Sequence, residues 1–391
     1  MSNTTFSPWP SFSEDEAEAV KQVLLSNNVN YWTGEQCREF ENEFAAYSDC
    51  SHAVALGNGT QALEIALNAL GVCPGDEVIT TPRTYFATAS AIVMMGAIPV
   101  FADVDENSQN IYAESIEAVL TPKTKAVIVV HLAGMPAEMD GIMELASKYD
   151  FKVIEDCAQA HGAKYKGRSV GSIGHVGAWS FCQDKIISTG GEGGMVTTKD
   201  EKLWSTMWSR KDHGKSYDAV YNQEHQPGFR WLQHTFGTNM RMTEMQAALG
   251  RFQLTMMLDW TAKRRRNAKA IDTVSDDCEL LRSVHVPDHL THAYYKHYLF
   301  VNEEYLATGW TRDRIIDEIN KLGVPCYQGS CPEIYLEKAF NGTGWRPERA
   351  LPVARKLGET SLMFLVHPTL KEEEIQKACD ALRKICRKAE R

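Results

Sequence analysis

Short apolar runs alternate with segments of helical spacing from about residue 15 to residue 260. The strand-like runs are residues 52–59, 75–82, 98–105, 124–134 and 151–159, and the helix-like segments are residues 60–70, 114–121 and 139–150. Continuous apolar strands are typical of parallel sheets that are buried on both faces, with helices as the crossovers. We therefore predict an α/β fold whose large domain has a mostly parallel central sheet flanked by helices.

The pattern changes after about residue 261. A basic helical stretch at residues 262–271 precedes an aromatic strand at residues 293–301 and a helix that Thr311 caps and Gly323 ends. An amphipathic helix follows at residues 370–391. The predicted parts are an N-terminal arm at residues 1–14, a large domain at residues 15–260 and a smaller C-terminal α+β domain at residues 261–391.

Charge and composition disfavour several classes of protein. The 391-residue chain has a net charge of −10, whereas nucleic-acid binding usually needs a basic face. Its apolar runs are shorter than a membrane span, and residues 1–20 lack the pattern of a secretion signal. The ten cysteines show no metal-ligand spacing, so we expect reduced thiols, no metal site and a cytoplasmic location.

Two predicted strand ends carry an acid and an amine. Asp156 lies at the end of one strand, and Lys185 follows the apolar segment 177–181. In a parallel sheet such strand ends face the same ligand. Pyridoxal phosphate needs both groups, a lysine for its aldehyde and a carboxylate that keeps its ring nitrogen protonated. The alternative for Asp156 is an ordinary solvated acid.

The same cofactor needs a binding site for its phosphate and an aromatic side chain that stacks on its ring. The turn at residues 57–59 leads into a helix that begins near Thr60, and free N–H groups at a helix start attract phosphate. Gly59 allows close approach of the backbone, and Ser180 offers a hydroxyl. Tyr85 follows another strand end and can stack on the ring. A plain structural turn and a core aromatic residue are the alternatives.

Five longer stretches occur in a characteristic order. They are GNGTQALEIAL, GDEVITTPRTYFATASAI, VIEDCAQAHGA, GAWSFCQDKIISTGGEGGMV and GTNMRMTEMQAALG. In this order the chain resembles the sugar aminotransferases of the DegT/StrS group over nearly its whole length. The resemblance implies the type I fold of pyridoxal-phosphate-dependent transferases, pyridoxal 5'-phosphate as cofactor, and a homodimer with shared active sites.

The resemblance also implies roles for individual residues. Lys185 would bind the cofactor aldehyde and carry protons, while Asp156 would pair with the ring nitrogen. Tyr85 would stack on the ring, and Gln159 would lie near its phenolic oxygen. The phosphate contacts would come from Gly59, Thr60 and Ser180 of the same chain and from Asn239, which would reach the cofactor in the partner subunit.

The implied substrates are L-glutamate as amino donor and a nucleotide-linked keto sugar as acceptor. A UDP-linked 4-keto-6-deoxy-N-acetylhexosamine for surface glycan synthesis is the first choice, while dTDP- and GDP-linked sugars and a 3-keto acceptor stay open. A sugar dehydratase and a pyridoxal-binding regulator are the alternatives, and Lys185 favours transamination because the dehydratase branch has histidine there. The candidates for contacts with the sugar nucleotide are Arg230, Arg241 and Tyr327, and the basic loop at residues 209–216 is a candidate cover for the site. An ordinary surface cation is the alternative for these basic residues.

Overall fold

The computed structural model describes residues 6–391, so residues 1–5 of the predicted arm lie outside it. The strands are β1 (His52–Leu56), β2 (Glu77–Thr80), β3 (Ile98–Phe101), β4 (Thr124–Val130), β5 (Lys152–Asp156), β6 (Lys164–Tyr165), β7 (Arg168–Ser169), β8 (Val176–Ser180), β9 (Gly194–Thr198), β10 (Leu281–Ser283), β11 (Leu290–Thr291), β12 (His297–Val301), β13 (Cys326–Tyr327) and β14 (Ser361–Phe364). The α-helices are α1 (Glu14–Ser26), α2 (Gln36–Tyr47), α3 (Gly59–Ala69), α4 (Ala87–Met94), α5 (Ala113–Glu117), α6 (Met139–Tyr149), α7 (Glu201–Lys211), α8 (Tyr217–Tyr221), α9 (Glu244–Ser275), α10 (Arg312–Lys321), α11 (Pro352–Thr360) and α12 (Glu372–Ala389).

The central sheet has seven strands in the order β1–β9–β8–β5–β4–β2–β3. All of them run in one direction except β9, which is antiparallel to both of its neighbours, β1 and β8. The predicted mostly parallel sheet flanked by helices is therefore confirmed. Strand β9 is the exception because the loop at residues 181–193 returns the chain directly beside β8, whereas a parallel neighbour would need a crossover connection.

Strand β4 shows why the central strands are apolar at successive positions. Ala126 and Ile128 pack into a cluster that includes side chains of α2 and α3. Val127 and Val129 point the other way, into a cluster with side chains of α5 and α6. Successive side chains of a strand face opposite sides of its sheet. Because helices cover both sides, each of these four positions gains from burial, about 1.5–3 kcal/mol for a valine or isoleucine.

The C-terminal part of the chain forms a second, four-stranded sheet in the order β10–β12–β14–β13. Its pairings are antiparallel throughout. Helices α10 and α12 and the end of α9 supply side chains to a core that includes Leu299, Ile315 and Leu382. Helix α10 begins at the predicted cap, because the Thr311 side chain accepts the N–H of Arg314 at 3.1 Å. A mixed α and β arrangement is thus present in this region.

Helix α9 runs through the predicted domain boundary between residues 260 and 261. It has 32 residues and is about 48 Å long at 1.5 Å per residue. No glycine or proline interrupts residues 251–275, so the backbone stays helical. Trp260 belongs to the large core, whereas Ala268 and Ile271 belong to the small one. The two parts therefore differ in side-chain packing and share one continuous helix at this point.

The described part of the N-terminal arm packs against the C-terminal region. The Ser7 hydroxyl donates to Glu374 Oε2 at 2.9 Å, and the Thr369 hydroxyl donates to the Pro8 carbonyl at 2.8 Å. The Trp9 ring meets the Trp260 ring edge-on, with 5.0 Å between centroids. These contacts hold the arm across the junction of the two cores. Within residues 6–391, no helix has the length and hydropathy to cross a membrane.

Candidate active site

A cavity of about 1030 Å³ lies where the parallel strands of the central sheet end. It is large enough for a cofactor together with a substrate, since ligand pockets commonly measure about 300–1000 Å³. Ligands of open α/β sheets bind at this edge. Seven of the predicted site residues line the cavity: Gly59, Thr60, Tyr85, Asp156, Gln159, Ser180 and Lys185.

Lys185 lies in the loop between β8 and β9. Its backbone N–H donates to the Cys182 carbonyl at 3.0 Å, and its carbonyl accepts the Trp9 indole N–H at 2.8 Å. Gly190 and Gly191 follow with φ values of 82° and 123°, in the left-handed region that favours glycine. The loop can therefore turn back towards β9 while its backbone holds Lys185 at the cavity.

Asp156 is the last residue of β5, and its side chain is buried. The Thr88 hydroxyl donates to Oδ2 at 3.1 Å, and the Ala158 N–H donates to Oδ1 at 3.2 Å. Burial raises the pKa of the Asp156 carboxyl, although these two hydrogen bonds and the charge of Lys185 oppose that rise. A cation in the cavity would stabilise the ionised carboxylate.

The start of α3 forms the anion-binding end of the cavity. The Asn58 side chain caps the helix by accepting the Gln61 N–H at 2.9 Å. The first N–H groups of a helix have no acceptor within it, and they attract anions. A Cβ added to Gly59 would lie 2.6 Å from Cβ of Ser180, so only glycine brings the helix start this close to β8.

Two further predicted residues complete this part of the cavity. The Tyr85 side chain is 73% exposed and can move over a bound ring. Gln159 is buried, and its Oε1 accepts the Ala133 N–H at 2.7 Å, which fixes the orientation of the amide. The remaining amide N–H₂ of Gln159 is the group with which it can donate to a ligand.

These side chains fit pyridoxal phosphate. Asp156 accepts two hydrogen bonds but forms no ion pair with any cationic side chain in residues 6–391, so the cavity holds a buried carboxylate without a charged partner. A lysine ammonium and a helix start with free N–H groups lie at the same cavity. A cofactor with an aldehyde, a protonated ring nitrogen and a phosphate matches the three groups.

Four predicted residues lie outside this cavity. Arg230 and Asn239 are exposed to solvent. Arg241 donates from Nη1 to the buried carboxylate of Asp212 at 2.6 Å, so its charge is already paired within the chain. Tyr327 is 47% exposed on β13. Their suggested contacts with a sugar nucleotide or a partner subunit's cofactor stay predictions.

The structure adds residues that sequence reasoning missed. Thr88, on α4, supports Asp156. Tyr295 and Lys296 line the cavity from the segment before β12, and the Tyr295 hydroxyl donates to Asp184. The sequence pattern predicts an aromatic strand over residues 293–301, whereas β12 begins at His297. A lysine within such an apolar and aromatic run is the sequence signal of a polar site there.

Three buried side chains behind the cavity lie close enough to hold a metal ion, namely His131, Glu155 and Cys157. The His131 ring is held at both nitrogens, since Nδ1 accepts the Ala137 N–H at 3.1 Å and Nε2 lies 3.0 Å from Glu155. Glu155 also accepts backbone N–H groups, including that of Gly171 at 2.9 Å. These atoms already have partners, and the cluster anchors the end of β5 beneath Asp156.

Residues 10–383 match the model of the DegT/DnrJ/EryC1/StrS aminotransferase family. The chain belongs to this family. A solved aminotransferase from Psychrobacter cryohalolentis is 61% identical, with a TM-score of 0.97 over 98% of this chain and 99% of that one. The spore coat polysaccharide biosynthesis protein SpsC of Bacillus subtilis (strain 168) is 36% identical over 97% of both chains.

A UDP-N-acetyl-3-dehydro-alpha-D-glucosamine 3-aminotransferase from Acidithiobacillus ferrooxidans is 34% identical over 92% of this chain and 91% of the relative. Membership of the DegT/DnrJ/EryC1/StrS family confirms the predicted family, fold and enzyme class. The protein is an aminotransferase of this family, and enzymes of this family depend on pyridoxal phosphate.

Proposed function

We propose that this enzyme binds pyridoxal 5'-phosphate and moves the amino group of L-glutamate to the 4-keto group of a UDP-linked 4-keto-6-deoxy-N-acetylhexosamine. The reaction would take place in the cytoplasm and supply an amino sugar for surface glycan synthesis. The proposal rests on one observation above all: Lys185, Asp156 and the start of α3 meet in a single cavity. The named relative that acts on a UDP-N-acetyl keto sugar supports the choice of nucleotide.

Each residue of the cavity has a separate role in the reaction, which follows from its position. The bound cofactor supplies an electron sink for the carbanion formed at the substrate carbon. Asp156 holds the ring nitrogen protonated, because its buried carboxylate gains from a cation beside it. The N–H groups of Gly59 and Thr60 and the Ser180 hydroxyl bind the phosphate.

Lys185 is the group that moves protons. Its ammonium lies 5.1 Å from the ring centroid of Tyr295, its backbone N–H donates to the Cys182 carbonyl, and its carbonyl accepts the Trp9 indole N–H. The side chain is then free to swing while the backbone stays fixed. In the first half of the reaction Lys185 would take the proton from the α-carbon of the donor and deliver it to the cofactor carbon that carries the amine nitrogen. In the second half it would move a proton from that carbon to the sugar carbon that gains the amine.

The first half of the reaction is tested by spectroscopy. Wild-type protein loaded with pyridoxal phosphate should show the absorption band of the lysine-bound cofactor and lose it when L-glutamate is added. Lys185→Ala should do neither. Lys164→Ala, which changes an exposed lysine on β6, should behave as wild type. A wild-type protein that takes up no cofactor would refute the assignment of the cavity.

The second half is tested with a panel of acceptors. UDP-, dTDP- and GDP-linked sugars carrying a 4-keto or a 3-keto group are incubated with ¹⁵N-labelled L-glutamate, and the products are weighed by mass spectrometry. We expect the label in the UDP-linked 4-amino product with the highest kcat/KM. A higher kcat/KM for a sugar linked to another nucleotide, or for a 3-keto sugar, would identify that sugar as the acceptor instead. Loss of a sugar hydroxyl without label would indicate a dehydratase.

We also propose that two copies of the chain form a homodimer with shared active sites. The segment at residues 222–238 carries three aromatic side chains that are largely exposed: Phe229 by 76%, Trp231 by 80% and Phe236 by 96%. Large apolar groups clustered on a surface favour association. Asn239 follows directly and is exposed, in position to reach out of its own subunit.

Complementation tests the shared site. Homodimers of Lys185→Ala and of Asn239→Asp should both lose activity, the second because a carboxylate repels the phosphate. Unfolding and reassembling the two variants together should restore up to one working site in each mixed dimer. If Asn239 acts only within its own chain, each site of the mixed dimer carries one defect and no activity should return. The converse control pairs wild type with a chain that carries both changes: a shared site leaves no complete site in that dimer, whereas a within-chain role leaves one.

A further inference from the structure

Lys296 is a cation within the cavity that has no anionic partner. Its ammonium lies 4.7 Å from the ring centroid of Tyr295, and the residue lines the cavity. In residues 6–391 the ammonium forms neither a salt bridge nor a hydrogen bond. Burial lowers its pKa to about 8, although the charge of Asp184 opposes this shift. Lys296 is half-buried, and its charged form lacks the anionic partner that a cation in such surroundings ordinarily has.

Asp184, the acid whose charge acts on Lys296, is hydrogen-bonded to a different residue. Asp184 accepts the Tyr295 hydroxyl and does not form an ion pair with Lys296. Burial raises the pKa of Asp184, but the charge of Lys185 and the Tyr295 hydroxyl outweigh it and keep that pKa below its ordinary value. Asp184 is thus an ionised acceptor that holds Tyr295 in place. The cation of Lys296 stays available to a ligand.

We propose that Lys296 binds the α-carboxylate of the amino-acid donor. This inference rests on the proposed function and names the residue that recognises one of its substrates. A negatively charged oxygen would give Lys296 the partner that it lacks within the chain. Tyr295 would set the position of the ammonium through its ring, and Asp184 would set the position of Tyr295.

The position beside Lys185 favours the carboxylate over the diphosphate of the sugar nucleotide. Lys185 and Lys296 lie 5.1 and 4.7 Å from the same Tyr295 ring centroid. The donor's α-carboxylate is bonded directly to the carbon from which Lys185 takes a proton, so it must lie near that lysine. A diphosphate is bonded to the sugar carbon on the far side of the ring from a 4-keto group.

The test compares Lys296→Met with wild type in the first half of the reaction. Loss of a charge-assisted hydrogen bond should raise the apparent dissociation constant for L-glutamate about 10- to 100-fold, with a smaller change in the limiting rate. Wild type should prefer L-glutamate to its α-amide, and the variant should lose that preference. The preference for L-glutamate over L-glutamine, its γ-amide, should persist. Lys296→Arg should recover part of the affinity.

A binding measurement separates recognition from turnover. Calorimetry with 2-methyl-L-glutamate, which has no α-proton to lose, should show the same loss of affinity in Lys296→Met. UDP should bind equally to both proteins. Lys125→Met is the matched control, because Lys125 is a half-buried lysine at the opposite end of β4 from the cavity. Retention of the cofactor band shows that each variant is folded.

Three results would overturn the inference. Unchanged affinity for L-glutamate and its 2-methyl analogue would show that Lys296 does not bind the donor. Weaker binding of UDP alone would assign the cation to the diphosphate. Loss of discrimination against L-glutamine alone would assign it to the γ-carboxylate. If wild type itself ignores L-glutamate, the proposed function fails instead, and that result is distinct from any effect of the variant.

Discussion

Replacing Thr88 with valine removes the hydroxyl that donates to Oδ2 of Asp156 at 3.1 Å while keeping the shape of the side chain. Both groups are buried, with Thr88 only 1% and Asp156 6% exposed, so water cannot readily replace the lost donor. Hydrogen bonds to charged groups contribute about 1.5–3 kcal/mol, and one pKa unit corresponds to about 1.4 kcal/mol. The pKa of Asp156, already raised by burial, should therefore rise by a further one to two units.

The cofactor needs the ionised form of Asp156, so its affinity should fall as this carboxyl takes up a proton. In Thr88→Val the fall should begin at a pH about one to two units higher than in wild type. Well above that pH the carboxylate is ionised in both proteins, and their affinities should converge. The assay is a fluorescence titration of cofactor-free protein with pyridoxal phosphate at a series of pH values.

The comparison of two proteins isolates Asp156, because Thr88→Val leaves the charged groups of the cavity unchanged. Thr88→Ser keeps the hydroxyl and should follow the wild-type curve. Superimposable curves for Thr88→Val and wild type would refute the reasoning, since the hydrogen bond would then contribute nothing to the charge state of Asp156. A uniform loss of affinity at every pH would also refute it and would indicate a packing defect.

Three other changes have definite expected outcomes. Gly59→Ala should weaken cofactor binding at least about tenfold in the same titration, whereas Gly57→Ala, whose methyl meets only the end of a flexible side chain, should not. Trp9→Phe keeps an aromatic ring but loses the N–H that binds the Lys185 carbonyl, and it should lower the free energy of unfolding by about 1 kcal/mol. Lys296 has a pKa of about 8 when folded and 10.5 ordinarily, so the unfolded chain binds more protons between these values. The stability of the cofactor-free protein should therefore rise from about pH 8 to pH 10.5 relative to Lys296→Met, as thermal unfolding measures.

Sequence patterns predicted those elements of the fold whose structure is determined by residues close together in the sequence. The apolar runs around Val127 and Ile154 lie in buried parallel strands, and Asp156 stands at a strand end as the spacing indicated. Thr311 caps α10 because a cap depends on residues only three positions apart. The start of α3 also depends on residues close together in the sequence, so it could be predicted without knowledge of its contacts in the cavity.

Other features depend on contacts between distant residues, which periodicity does not report. The reversed direction of β9 follows from the return of one loop beside β8, and apolar content is similar in parallel and antiparallel core strands. Helix α9 continues past residue 260 because two different cores cover its two halves. Thr88 meets Asp156, and Lys296 reaches the cavity of Lys185, only after the chain has folded, so neither had a sequence motif of its own.

The N-terminal arm has a consequence for the order in which the site is assembled during synthesis. Trp9 is synthesised before the surfaces that receive the arm, which include Trp260, Thr369 and Glu374. The hydrogen bond from the Trp9 indole to the Lys185 carbonyl therefore gains the full support of the arm only after helix α12 has been synthesised.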